Sequence, residues 1–196
     1  YNTRIAGGKW NGMMSWHPRD LPVFNMPKVA DQDYLDSIQQ VVKQELLKDK
    51  RTAIDISHFT AKHETATVHF NTIEGLGVSG KAVTTSPFKF QVDSIKNAPF
   101  LEYKLTLTPG THAIFIKCLP TQSIDGDKKL LFGISFNNDS IQSINIHAES
   151  ESKQWKENVL RGFTENKLVV IASKETNNLR IYFPEPGLVL SAIEVE

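Results

Sequence analysis

The sequence predicts an all-β fold, an antiparallel β-sandwich of jelly-roll type over residues 52–196, preceded by an irregular segment and one helix. Three observations predict it. After residue 52 the apolar residues recur with a period of two, in short runs. Turn-forming residues punctuate the runs. No helix-length crossover separates them, which favours antiparallel sheets packed face to face over a parallel sheet with helical connections.

Residues 1–30 carry Gly7-Gly8, Trp10, Gly12, Met13-Met14, Trp16, Pro18, Leu21-Pro22, Phe24 and Met26-Pro27 without a helix or strand period. Apolar side chains at this density are costly in water, so the segment is expected to lie against another surface. Trp10, Met13, Met14 and Trp16 are its candidate packing residues. From residue 33 to 50 the composition changes to helix formers free of Gly and Pro, with Leu35, Ile38, Val42 and Leu46 at spacings of three and four. Asp33 is the expected cap, and Lys48 and Lys50 suit the negative end of the helix dipole. Residues 1–51 thus read as a seam and 52–196 as the sandwich module.

Within the module, residues 101–107 alternate cleanly, Thr108-Pro109-Gly110-Thr111 suits a type II turn, and residues 113–119 run back, which reads as a hairpin. Residues 130–136 and 141–146, joined through Asn137-Asn138-Asp139, read as a second hairpin. Residues 53–59, 67–71, 81–88, 167–172, 179–183 and 188–195 bring the expected strand count to about ten.

Composition narrows the function classes. The chain has 196 residues, 40% of them hydrophobic, enough for a proper core, and its 22 Lys plus Arg balance 22 Asp plus Glu. With no net field and no block of like charge, nucleic acid is not an expected partner. No apolar run approaches the roughly 20 residues that span a bilayer, so no membrane partner is expected. Tyr1-Asn2-Thr3-Arg4 has no leader pattern, and a chain opening this way is expected to be a piece of a longer polypeptide. The single cysteine, Cys118, excludes an internal disulfide, leaves the compartment open and, on a strand beside Lys117, reads as a core residue.

Several motifs invite chemistry and are met by a plainer reading. Gly75-Leu76-Gly77-Val78-Ser79-Gly80-Lys81-Ala82 matches a dinucleotide fingerprint and nearly matches a phosphate loop. Both motifs need a following helix, whereas Ala82-Val83-Thr84-Thr85-Ser86-Pro87 is β-branched and stopped by proline, so a glycine-permitted turn between strands is expected. His58, His63 and His69 lack zinc-type spacing, and strand alternation gives no reason for them to converge. Asp125-Gly126-Asp127 lacks the further oxygen ligands of a calcium loop. Glu64, Glu74, Glu102 and Asp93 are available carboxylates, but nothing sets two of them at a working separation for glycoside hydrolysis. No cofactor and no metal site is expected. Trp10, Trp16 and Trp155, with Tyr103 and Tyr182, are able to stack on sugar rings; core or interdomain packing is the competing and commoner use of such rings.

The order of motifs along the chain resembles one family. Gly7-Gly8-Lys9-Trp10-Asn11-Gly12-Met13-Met14, ending at Asn25-Met26-Pro27, is similar to the stretch that follows the catalytic region in glycoside hydrolase family 115. The likeness continues through Ile54-Asp55-Ile56-Ser57-His58-Phe59, Gly75-Leu76-Gly77, Gly80, Ala82-Val83-Thr84 and Ala98-Pro99-Phe100-Leu101-Glu102-Tyr103. It closes with Leu131-Phe132-Gly133-Ile134-Ser135-Phe136, Trp155 and Pro186-Gly187-Leu188-Val189-Leu190. The resemblance implies part of an inverting xylan α-1,2-glucuronidase whose acid and base carboxylates lie in an upstream barrel, so no catalytic residue falls on this chain. It implies a periplasmic or secreted setting. Its implied partners are the upstream catalytic domain of the same polypeptide, a second copy in a homodimer, and a xylan-type polysaccharide. Two roles follow: a structural accessory module, or a carbohydrate-binding module using Trp10, Trp16 and Trp155. Related sandwiches open with an acid-rich strand that helps hold calcium; here the acids are reduced to Asp55, with Ser57 in the second place, which weakens such a site.

Overall fold

A computed structural model describes residues 7, 31–33, 35–37, 39, 40, 51–124, 126 and 129–196. The chain separates into two units, Tyr1–Asp49 and Lys50–Glu196. In the first, residues 32, 33, 35–37, 39 and 40 are helical, as the spacing predicts. The cap is corrected: Asp33 is already helical, and Leu35 N donates to Asp31 O at 3.1 Å. Trp10, Met13, Met14 and Trp16 lie outside the described residues, as do Tyr34, Ile38, Val42, Leu46, Lys48, Lys50, Asp125 and Asp127.

The second unit is a two-sheet sandwich. Its strands are β1 (Thr52–Ile54), β2 (Ala61–His63), β3 (His69–Glu74), β4 (Lys81–Ser86), β5 (Phe100–Thr106) and β6 (Gly110–Cys118). They continue with β7 (Leu131–Phe136), β8 (Gln142–Asn145), β9 (Thr164–Ala172), β10 (Thr176–Tyr182) and β11 (Val189–Val195). One sheet runs β3-β4-β11-β6-β9, with β1 also paired to β11; the other runs β2-β5-β10-β7-β8, and every pairing is antiparallel. The period-two pattern explains the burial. Leu101, Tyr103 and Leu105 of β5 and Leu168, Val170 and Ala172 of β9 enter the core, while the residues between them face outward.

The β7–β8 hairpin is as expected, with Asn137 and Asn138 at φ +51° and +67°, a conformation that asparagine tolerates and that matches the strand twist. The expected β5–β6 hairpin is overturned. β5 pairs with β2 and β10, whereas β6 pairs with β9 and β11, so Thr108-Pro109 carries the chain from one sheet to the other. An arch of this kind lets the apolar face of β5 meet that of β6 across the core, where Leu101 and Tyr103 share one cluster with Ile114 and Ile116. Gly110 sits at φ +146°, not in a type II turn.

A helix is also found where none was expected: α1 (Lys153–Arg161) connects β8 to β9 and so passes between the sheets. Ser152 Oγ accepts from Trp155 N at 3.1 Å at its start, and Gly162, at φ +79°, ends it by donating to Val159 O at 3.2 Å. Because β8 and β9 are edge strands of opposite sheets, α1 and these two strands frame one open side of the sandwich.

Candidate functional site

The glycine motif is the turn between β3 and β4. Gly75, Gly77 and Gly80 have φ of +76°, +85° and +77°, and no helix follows them. The turn is pinned to β11 at a register shift between Leu190 and Ala192, where Ser191 is fully buried. Ser191 Oγ accepts from Val78 N at 2.8 Å, and its carbonyl accepts from Ser79 Oγ at 3.1 Å. A Cβ on Gly77 would lie 2.6 Å from Lys81 O and 2.8 Å from Ser191 Oγ, so only glycine lets the turn come this close. The motif works as a clasp.

Of the four candidate carboxylates, Glu64, Glu74 and Glu102 have local partners. Glu102 Oε2 takes Arg180 Nε at 2.5 Å. Glu64 accepts from Phe70 N at 2.8 Å and from Lys62 Nζ at 2.9 Å, and these bonds hold its carboxyl below the ordinary range. Glu74 faces Lys81 Nζ at 3.9 Å. On the outer face of the first sheet, Arg51 and Lys117 hold Glu165 and Glu194: Arg51 reaches Glu165 at 2.8 Å and Lys117 reaches Glu194 at 2.6 Å. The histidines do not converge. His58 Nδ1 contacts Asp55 Oδ2 at 2.7 Å, His69 Nδ1 lies 3.6 Å from Glu64 Oε2, and His63 stacks on Phe100 with centroids 5.1 Å apart. Among the described residues, no three His, Cys, Asp or Glu side chains gather as a metal site. Cys118 is buried, which pushes its thiol up to about 12.

The aromatic candidates separate. Tyr103 and Tyr182 are buried, so they pack rather than stack on a ligand. Tyr103 donates its hydroxyl to Ile56 O at 2.8 Å, and Tyr182 meets Phe100 with centroids 5.0 Å apart. Trp155 is half-buried in the first turn of α1, at the surface.

Residues that the sequence did not single out form a polar cavity of about 270 Å³ beside that helix. It is lined by Asn145, His147, Gln154, Asn158, Thr164 and Asn166, with Glu165 at the same place. Asn158 is buried and accepts from Gln154 Nε2 and Arg161 Nη2, both at 2.9 Å. Two lining atoms, His147 Nδ1 and Asn166 Nδ2, are buried without a hydrogen-bond partner. Each such group costs about 1–3 kcal/mol. The signal was present in part: Asn166 occupies the inward alternation of β9, between buried Thr164 and Leu168, where an apolar residue is the norm. A larger groove of about 430 Å³, lined by Thr52, Ile54, Leu105, Leu107, His112 and Val195, is more apolar, and its His112 Nε2 is already engaged with Thr108 O at 2.7 Å.

The family model described as the glycosyl hydrolase family 115 C-terminal domain matches residues 48–196. The chain belongs to this family. It is similar over 100% of its length to BtGH115A, described as a family GH115 4-O-methyl-α-glucuronidase with specificity for decorated arabinogalactans, at 26% identity and a TM-score of 0.54. It spans 23% of the length of that glucuronidase. A second likeness, at 11% identity and a TM-score of 0.50 over 75% of this chain and 27% of the other, is to a GH26-CBM35 β-(1,4)-mannanase of Podospora anserina, and it shows the fold alone. No curated protein matches the chain.

In this family 115 C-terminal domain the opening strand does not fit a calcium ion. Asp55 Oδ1 already accepts from Ser57 Oγ at 2.6 Å and from Ser57 N at 2.9 Å, while Oδ2 faces His58. The Ser57 hydroxyl and backbone N–H, then the His58 ring, hold the Asp55 carboxyl down at about 2. Lys81 Nζ stands 3.2 Å from Ser57 Oγ, so a fixed cation already occupies this neighbourhood. One carboxylate, engaged on both oxygens and next to an ammonium, is no calcium cage.

Proposed function

We propose that this chain is a non-catalytic accessory module of a family 115-like xylan α-1,2-glucuronidase, turned against the upstream catalytic domain of the same polypeptide. One observation carries the reading. The edge strand β9 presents Val169 and Ile171 outward at 61% and 75% exposure, an apolar face on an edge that a free-standing sandwich blunts with charge. The longer relative supplies the occupant, since this chain corresponds to less than a quarter of it. The acids support the non-catalytic half of the proposal, being held by Arg180, Lys62, Ser57, Arg51 and Lys117. Trp10, Met13, Met14 and Trp16, outside the described residues, stay candidate packing residues for the catalytic domain, and a homodimer contact is a further use of the β9 face.

The test compares Val169→Lys with Ile171→Lys in two settings. In an enzyme that includes the catalytic region, each change should loosen the module and lower thermal stability; in the 196-residue chain alone neither should destabilise. Turnover of aldouronic acids by the chain alone would sink the non-catalytic assignment.

A second reading, a carbohydrate-binding module recognising glucuronoxylan through Trp10, Trp16 and Trp155, draws support from the half-buried Trp155 on a surface helix. In affinity electrophoresis on glucuronoxylan, retardation abolished by Trp155→Ala favours it, and unchanged mobility favours the accessory role.

A further inference from the structure

We infer that the polar cavity framed by α1, the end of β8 and the start of β9 binds one neutral sugar unit of a glycan. The inference deepens the second reading, on which it rests for the class of ligand, by assigning a site made of other residues. Three features point there. The first is hydrogen-bonding capacity left unused. Asn166 stands on the core face of an edge strand and His147 follows β8; both line one cavity, and Asn166 Nδ2 and His147 Nδ1 are buried without hydrogen-bond partners. Natural cores rarely keep such groups unless water or a ligand satisfies them.

The second feature is the kind of group present. Asn145, Gln154, Asn158 and Asn166 are carboxamides, Thr164 brings a hydroxyl and His147 an imidazole. Amides offer donors and acceptors together, which is what a sugar hydroxyl requires, since it gives one hydrogen bond and takes others. The lining's acidic residue, Glu165, is already held by Arg51 at 2.8 Å and Lys117 at 3.7 Å, and Arg161, outside the lining, is engaged with Asn158 Oδ1 at 2.9 Å, so the lining offers no free carboxylate or cation to an ionic ligand. A uronate or a phosphate therefore gains little there, and a neutral polyhydroxyl unit gains most.

The third feature is size and setting. About 270 Å³ is the space of roughly nine waters, enough for one pyranose ring and too small for a chain of them. His147 also lines a neighbouring open depression with Gln122, Glu149 and Ser150, which gives a glycan a path away from the bound unit. Trp155 follows Gln154 on α1 and is half-buried, an aromatic ring on the cavity helix but outside the lining itself.

The test uses the 196-residue chain, isotopically labelled and titrated by NMR with xylotetraose, with galactotetraose and with glucuronic acid. The expected result is saturable shifts at Asn145, His147, Asn158 and Asn166 with a neutral oligosaccharide and not with glucuronic acid. Asn166→Leu should weaken that binding about tenfold or more, the loss of one or two hydrogen bonds, while unfolding at the same temperature as the parent or higher, because an unpaired buried amide has been removed. Gln154→Ala, at an exposed helical position, should weaken binding several-fold and serves if Asn166→Leu fails to fold. Absence of saturable shifts with every probe, shifts that map elsewhere, preference for glucuronic acid, or unaltered affinity in Asn166→Leu and Gln154→Ala each overturn the site. Binding that survives Asn166→Leu but is lost in Trp155→Ala removes this site and leaves the broader glycan reading standing.

Discussion

Replacing Gly77 by alanine tests the clasp between the β3–β4 turn and β11. Three glycines of that turn share positive φ, but their surroundings differ. A Cβ at Gly75 or Gly80 meets nothing within 4 Å, whereas at Gly77 it meets Lys81 O at 2.6 Å and Ser191 Oγ at 2.8 Å. The nearer atom is backbone, so it cannot swing aside as the end of a side chain would. At Gly75 the cost is the left-handed conformation alone, about 1 kcal/mol, partly offset by the reduced freedom of the unfolded chain. At Gly77 the same cost is joined by displacement of the turn, which breaks the bonds from Val78 N and Ser79 Oγ to Ser191 at about 1 kcal/mol each.

Gly77→Ala should therefore destabilise by about 2–4 kcal/mol and Gly75→Ala by about 1 kcal/mol or less. For a unit of this size that corresponds to a fall in Tm of roughly 5–15 °C against one of at most about 4 °C. Urea unfolding followed by far-UV circular dichroism measures both. The Gly77→Ala, Ser191→Ala pair should be non-additive, because the second change removes one of the two colliding atoms. If Gly77→Ala and Gly75→Ala lose the same stability, the clasp does not exist and the motif is an ordinary loop.

The Asp55 carboxyl should titrate near pH 2 by carbon-13 shift, and Ser57→Ala should raise its midpoint towards the ordinary 3.8 by deleting the hydroxyl that does most to lower it. The sign follows from the depression: the contribution to stability is present above the ordinary value and is lost as pH falls from there through about 2. With the side chain 44% exposed, that contribution is small, so the midpoint and not the unfolding curve is the quantity to read; a wild-type midpoint near 4 refutes the arrangement. Cys118 should resist alkylation at pH 8 in the folded chain and react only on opening, since its thiol is buried and pushed up to about 12. Labelling of the native chain at the rate of a free thiol would refute its place in the core.

What the sequence revealed depended on whether a feature is local. The alternation of β5 and β9 needs only the side chains of one strand, and the β7–β8 hairpin needs only Asn137 and Asn138, which accept positive φ. The link at Pro109 is ambiguous in sequence because turn residues serve a hairpin and an arch equally; which one forms is decided by β10 and β11, far along the chain. Helix α1 carries little core signal because it is short and mostly polar: its buried residue is Asn158, while Val159 and Leu160 are 45% and 87% exposed. Its caps, Ser152 and Gly162, were the signal available. β2 is exposed at all three residues and so carried no alternation.

The cavity beside α1 shows why site and scaffold differ in legibility. Asn166 alone is an anomaly that any alternation count flags, a polar residue where Leu168 and Val170 continue the core. Its meaning depends on what faces it, and Asn145, His147, Gln154 and Asn158 come from an edge strand of the other sheet, the loop beyond it and a helix that crosses between sheets. A sandwich satisfies most of its interior by apolar contact between faces, which period-two patterning encodes directly. At the open side, where β8 and β9 end their sheets, polar groups are set by connections instead. The same open side carries Val169 and Ile171 outward and Asn166 inward on one strand, so β9 offers an apolar face to a protein surface and an amide to a cavity without either use displacing the other. Strand alternation therefore lets the proposed docking and the proposed sugar binding fall on opposite faces of β9, and separate substitutions at odd and even positions should separate them.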